Sequence, residues 1–286
     1  MKRNVIYLAI LLLCAAAFLL FLKGTETRMD TQPPTISFAE GIAEFSTQDS
    51  RESYLQGFTA RDNRDGDVTA SLVVEDLKLM DSNGSIRITY AAFDAAGNVV
   101  KAEREAKFTD YETPRFSLNC APAFAYGVKF DLFSLVRVQD SLAGDISHRV
   151  RISNLEESSI YDIGTHTVEL RVTNTLGDTA CIVIPVEIYP AGLYGATVQL
   201  TDYLIYQPVG KTLDVNAYLA TFQQGDTTLS LTEALPEGYS LEVKNNVQKD
   251  VPGVYTVEYR LTRTEGTENY ISTVTGYAKM IVVVEG

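Results

Sequence analysis

One spacing recurs three times in this chain. Gly84 and Gly97 stand 13 residues apart, as do Gly164 and Gly177, and again Gly253 and Gly266. Between the members of each pair, side chains alternate with period two. Ile86, Ile88, Tyr90 and Ala92 point one way in the first copy. His166, Val168, Leu170 and Val172 take those places in the second, and Tyr255, Val257, Tyr259 and Leu261 in the third. Such alternation marks a half-buried antiparallel strand, because successive strand side chains face opposite sides of the sheet. The second glycine of each pair falls in a hairpin turn, where a positive φ is needed. Another strand is expected after each turn, from Val99, Ala180 and Glu268.

Two further matches set the length of the repeat. Asp30, Pro34 and Phe38 align with Asp110, Pro114 and Leu118, 80 positions later. Asp62, Gly66, Asp67 and Thr69 align in the same way with Asp140, Gly144, Asp145 and Ser147. A repeat of 80–90 residues made of short strands, with no convincing amphipathic helix, predicts β-sandwiches. The expected architecture is all-β: three tandem immunoglobulin-like β-sandwiches after an N-terminal transmembrane helix. The expected boundaries are 1–23 for the apolar segment, 24–32 for a linker, and 33–110, 111–190 and 191–286 for the three domains.

The motifs Asp62-x-x-Asp65-Gly66-Asp67-Val68-Thr69, Gly84-x-Ile86-x-Ile88-x-Tyr90 and Phe93-Asp94-Ala-Ala-Gly97-Asn98 carry a family resemblance. The chain resembles the bacterial immunoglobulin-like domains of surface proteins, including the type found in an insecticidal crystal toxin and the related hyalin-repeat-like modules. The second repeat has Leu142 and Ala143 where the acidic motif is richer, and Asn174 in place of Asp94. The third keeps Tyr206, Gly210, Asp214 and the Pro252-Gly253-x-Tyr255-x-Val257-x-Tyr259 run, but lacks the Gly-Asp-Val-Thr element. The resemblance covers nearly all of residues 30–286. It implies an extracellular habit and a spacer or adhesion role, with no single activity.

Residues 5–22 form an uninterrupted apolar run preceded by Lys2 and Arg3. Its length is close to a bilayer core, and the flanking charges place the N-terminus inside. The expected fate is an uncleaved signal anchor. A cleaved signal peptide, cut after Ala15–17, and a lipoprotein at Cys14 are the alternatives. The expected localisation is the cell membrane, single-pass, with the C-terminal domains outside and the third domain membrane-distal. The net charge of −13 argues against nucleic acid as a partner.

The residues needed for catalysis do not assemble in the sequence, so no enzyme activity is expected. The two histidines, His148 and His166, read as a surface loop residue and a core or corner residue. No metalloprotease, nucleophile-elbow or phosphate-loop motif occurs. The one metal candidate is a weak calcium site at Asp62, Asp65 and Asp67, which put three hard oxygen ligands within six residues. Arg64 occupies a ligand position, and a turn capped by its own side chains is the alternative. No other cofactor is expected. Subtracting 80 from Cys120 and Cys181 lands on Glu40 and Lys101. An acid–base pair in one repeat and two thiols in the next predict a Cys120–Cys181 disulfide, with two free thiols as the alternative. The expected function is a non-catalytic, membrane-anchored stalk that presents a binding or adhesion surface. Its partner would be an envelope protein or polysaccharide, met through the third domain. Carbohydrate binding through Tyr203 and Tyr206 is the alternative function.

Overall fold

The Gly–Gly segments become the long central strands. The computed structural model describes residues 2–26, 30–153, 161–232, 234–267 and 270–286, and these divide into two compact units, 1–111 and 112–286.

The first unit holds β1 (Thr35–Ser37), β2 (Ala43–Phe45), β3 (Thr59–Asp62), β4 (Gly66–Asp67), β5 (Val73–Leu79), β6 (Ser85–Phe93) and β7 (Val99–Phe108). They form a three-stranded sheet, β1-β3-β4, and a four-stranded sheet, β2-β7-β6-β5. Along β6, Ile86, Ile88, Tyr90 and Ala92 are buried, as the alternation predicts. Tyr90 sits under Phe58 with ring centroids 4.0 Å apart, and its hydroxyl donates to the Tyr54 carbonyl at 3.0 Å. Burial pushes that phenol up to about 12. Burying side chains of this size contributes roughly 1.5–3 kcal/mol each, which holds the two sheets together. Gly84 has φ +85°, and a Cβ there would lie 2.8 Å from both the Phe108 carbonyl and Tyr111 Cβ.

The second unit repeats this plan. Its first half contains β8 (Arg115–Leu118), β9 (Ala123–Ala125), α2 (Leu132–Leu135), β10 (Val136–Asp140), β11 (Gly144–Asp145), β12 (Arg151–Ser153), β13 (Gly164–Thr173) and β14 (Thr179–Tyr189). The sheets are β11-β10-β8 and β12-β13-β14-β9. Strand for strand this matches the first unit, down to the parallel pairing of β9 on β14 and of β2 on β7. Asp62 faces Gly66 in one hairpin as Asp140 faces Gly144 in the other. The Gly97 and Gly177 turns agree too, with φ near +87° in each (86° and 88°).

Residues 191–286 are built differently. Strands β15 (Ala196–Leu200), β16 (Leu204–Pro208), β17 (Leu219–Gln224), β18 (Thr227–Ser230), β19 (Tyr239–Asn245), β20 (Gly253–Thr267) and β21 (Tyr270–Glu285) join in one sheet of order β18-β17-β15-β21-β20-β19, with β16 paired to β21. Its core includes Val198, Phe222, Tyr259, Leu261 and Met280. The turn expected at Gly266 is displaced: β20 runs through Gly266, which pairs with Ile271. Glu268, expected to start the next strand, lies outside the described residues.

The N-terminal element is a helix, α1 (Lys2–Glu26). Among the described residues, no helix is long and apolar enough to cross a membrane. This finding overturns the expected single-pass membrane localisation and, with it, the membrane partnership through residues 1–23.

Candidate functional site

The acidic hairpin of the first unit is the place where the structure gathers charge. Its motif works first as turn chemistry. Asp62 ends β3, and its Oδ1 accepts from the backbone amides of Arg64 (2.7 Å) and Asp65 (2.9 Å). Asp67 Oδ1 accepts from the Thr69 amide at 3.0 Å, and Thr69 Oγ1 accepts from the Ala60 amide at 3.0 Å. The second unit copies both contacts: Asp145 takes the Ser147 amide at 2.8 Å, and Ser147 Oγ takes the Val138 amide at 2.9 Å. The Gly-Asp-Val-Thr element is therefore a hairpin lock in which Asp67 serves. Asp65 faces elsewhere, its Oδ2 accepting from the Ala95 amide at 2.8 Å. The expected trio of Asp62, Asp65 and Asp67 does not converge on one point.

A different trio does. One carboxylate oxygen from each of Asp30, Asp62 and Asp94 lies within 4.8 Å of the other two. They come from the segment before β1, the end of β3 and the turn after β6. Asp62 is 8% exposed and Asp94 4%. The Asp65 and Arg64 amides hold the Asp62 carboxyl below its ordinary value. Burial pushes the Asp94 carboxyl up, but hydrogen bonds from Asn98 outweigh it and the net direction is down. Asn98 donates to Asp94 through its amide (2.8 Å) and its Nδ2 (2.7 Å). Oδ2 of Asp30 and Oδ2 of Asp62 are both buried with no hydrogen-bond partner among the described residues. The Arg64 guanidinium stands 3.8 Å from Asp30 Oδ2, too far for a hydrogen bond.

The second unit solves the same corner without surplus charge. Asn174 occupies the place of Asp94, and its Nδ2 donates to Asp140 Oδ1 at 3.1 Å. Asp140 is 1% exposed and Asn174 4%. Asp110, the sequence counterpart of Asp30, accepts instead from Ser46 Oγ and the Thr47 amide, both at 2.7 Å.

The other candidate residues fall as follows. Cys120 and Cys181 are free thiols, so the expected disulfide is not formed. Cys181 lies on β14 opposite Arg171, and its thiol donates to Glu169 Oε1 at 3.4 Å. Cys120 follows β8, on the other sheet. The aligned positions in the first unit are not partners: Lys101 pairs with Glu75 rather than Glu40. His148 is exposed, and His166 Nε2 donates to the Asp162 carbonyl at 2.7 Å. Tyr203 and Tyr206 are not a free stacking surface. Tyr203 packs against both cores of the second unit, and Tyr206 against the first of them. The Tyr206 hydroxyl accepts from the Phe116 amide at 3.2 Å, and the Arg115 guanidinium sits 4.6 Å over its ring.

The second unit also has a small aromatic concavity, about 220 Å³, lined by Tyr126, Lys129, Phe130 and Tyr161 among others. Phe130 stacks on Phe124 at 4.0 Å, leaving Tyr126 and Tyr161 about half exposed (51% and 49%) at the rim.

No family model matches the sequence, and no curated protein matches it. Solved structures do. A chain from Clostridium perfringens ZmpB, described as CBM51-2 in complex with GlcNAc and INT domains, is 9% identical over 88% of this chain and 41% of that one, with a TM-score of 0.22. This chain therefore spans less than half the length of that relative. Protocadherin Gamma B7 extracellular cadherin domains 1-4 are 11% identical over 88% of this chain and 76% of that one, TM-score 0.22. Mouse Cadherin-23 EC22-24 is 11% identical over 89% of this chain and 99% of that one, TM-score 0.21.

Proposed function

We propose that the chain is a non-catalytic binding and spacing protein, made of three immunoglobulin-like modules at 33–110, 111–190 and 191–286, with a protein or polysaccharide partner. The observation that carries this reading is the junction inside the second unit. Lys279 is 3% exposed and donates to Glu187 Oε2 at 3.0 Å, and Tyr277 donates to the same oxygen at 2.6 Å. Arg115 grips the Glu285 carboxylate with both terminal nitrogens, at 3.0 to 3.2 Å. Leu204 and Ile281, from the last module, sit in the core of the one before it. A linker would let two modules swing; shared core side chains and doubly bonded carboxylates hold their loops at one separation. Spin labels at Thr175→Cys and Asp226→Cys, both exposed, in a background with Cys14, Cys120 and Cys181 changed to Ser, should give one narrow distance peak. A broad distribution would sink the spacing reading.

Polysaccharide binding is a second reading, favoured by the Tyr126–Phe130–Tyr161 concavity, since exposed aromatic faces suit sugar rings. Affinity electrophoresis in gels carrying a panel of polysaccharides should retard the full chain with at least one of them. Tyr126→Ala and Tyr161→Ala should each remove most of the retardation. Equal mobility in every gel would dismiss this reading.

A further inference from the structure

We propose that Asp30, Asp62 and Asp94 form a calcium site in the first unit, and that the second unit has replaced the ion with the Asn174 amide. The cluster of acids does not carry this alone. The second observation is Asp62 Oδ2, on a residue more than nine-tenths buried, which has no hydrogen-bond partner among the described residues, as is also true of Asp30 Oδ2. A buried carboxylate oxygen left unpaired is costly, and several together repel one another. Asp62 Oδ1 accepts two backbone amides, and each Asp94 oxygen accepts one bond from Asn98, which leaves the Asp94 carboxylate lone pairs for an ion.

The paired module supplies the control. At the same corner of the same topology, one carboxylate meets one carboxamide, and the Nδ2–H of Asn174 satisfies Asp140. In the first unit that donor is missing and a carboxylate stands in its place; Arg64 offsets part of the charge at Asp30, 3.8 Å away, and a bound cation would offset the rest. Calcium–oxygen distances of about 2.3–2.6 Å place ligands across one ion about 4.6–5.2 Å apart, so three oxygens within 4.8 Å of one another can share a single ion. Three hard oxygen donors without nitrogen or sulfur suit calcium over zinc or copper. Water fills the remaining positions. The ion would tie the segment before β1 to the β3–β4 hairpin and the β6–β7 turn, three pieces that no sheet hydrogen bond joins at that point.

The test is calorimetry of the full chain, stripped with EDTA and then scanned with calcium, magnesium or neither. With a dissociation constant near 10⁻³ M, 5 mM calcium should raise the melting temperature of the first unit by about 4–8 °C, while the second unit stays in place as an internal reference. Magnesium should give a smaller shift. Asp94→Asn copies the second unit's solution, so it should fold, melt in EDTA no lower than the parent and lose the calcium response. Asp30→Asn, which lies outside the sheets, should also lose it. Titration calorimetry should give one calcium per parent chain and none for either variant. A parent chain indifferent to 10 mM calcium overturns the proposal. So does a calcium shift that survives Asp94→Asn, or equal shifts with magnesium and calcium in parent and variant alike.

Discussion

Glu187→Ala should cost the second unit about 3 kcal/mol of stability, the low end of the range for breaking a buried ion pair. The Lys279 side chain is 4% exposed and Glu187 22%. Removing the carboxylate leaves an ammonium buried without its counter-charge and strips the Tyr277 hydroxyl of its acceptor. Burial is the first cause that holds the Tyr277 phenol above its ordinary value, and it persists when Glu187 is removed. For a unit of this size the melting temperature should fall by roughly 6–12 °C. Urea unfolding followed by circular dichroism measures the loss. The triple variant Glu187→Leu, Lys279→Met, Tyr277→Phe should recover most of it, because a packed apolar replacement of a buried pair is often neutral. A loss below 1 kcal/mol in the single variant would show that the junction is wetter than its geometry implies.

Gly84→Ala should destabilise the first unit by a similar amount, about 3 kcal/mol. Two costs add. The residue holds φ +85°, where an L side chain is disfavoured by about 1–2 kcal/mol. Its Cβ would also strike the Phe108 carbonyl and Tyr111 Cβ at 2.8 Å, and overpacking adds about 1–3 kcal/mol. The carbonyl cannot retreat, since β7 is paired along β6 up to Lys107. Gly97→Ala separates the two costs. Its φ is +86°, yet nothing lies within 4 Å of the added Cβ, so it should lose only about 1 kcal/mol. Equal losses for the two variants in denaturant titrations would refute the steric half of the argument.

The strands were legible because they rest on local rules. Ile86, Ile88 and Tyr90 alternate, Gly97 and Gly177 supply positive φ, and the offset of 80 carries both to the second unit. Residues 191–286 lack the Gly-Asp-Val-Thr lock, and there the local pattern misplaces the turn at Gly266. The carboxylate cluster was harder to see because Asp30, Asp62 and Asp94 are neighbours only after two sheets have packed. Its one sequence signal was the exchange of Asp94 for Asn174 between repeats, opposite the unchanged pair Asp62 and Asp140. Tyr206 was misjudged for a related reason. Its strand, β16, runs parallel to β21, with Tyr206 level with Val283, and no local pattern announces a pairing over that distance. The supposed disulfide failed because aligned positions in two repeats need not have each other as partners.

The place of Ile281 bears on how the protein is made. This side chain lies on β21, yet it helps complete the core formed by Val136, Val168 and Ile184. During synthesis, which proceeds from the N-terminus at about 5–20 residues per second, the first unit can close as soon as β7 has left the ribosome. The first half of the second unit must wait, its interior unfinished, for a strand made some ninety residues later. For those seconds its apolar surface is open to chaperones, and to other nascent chains.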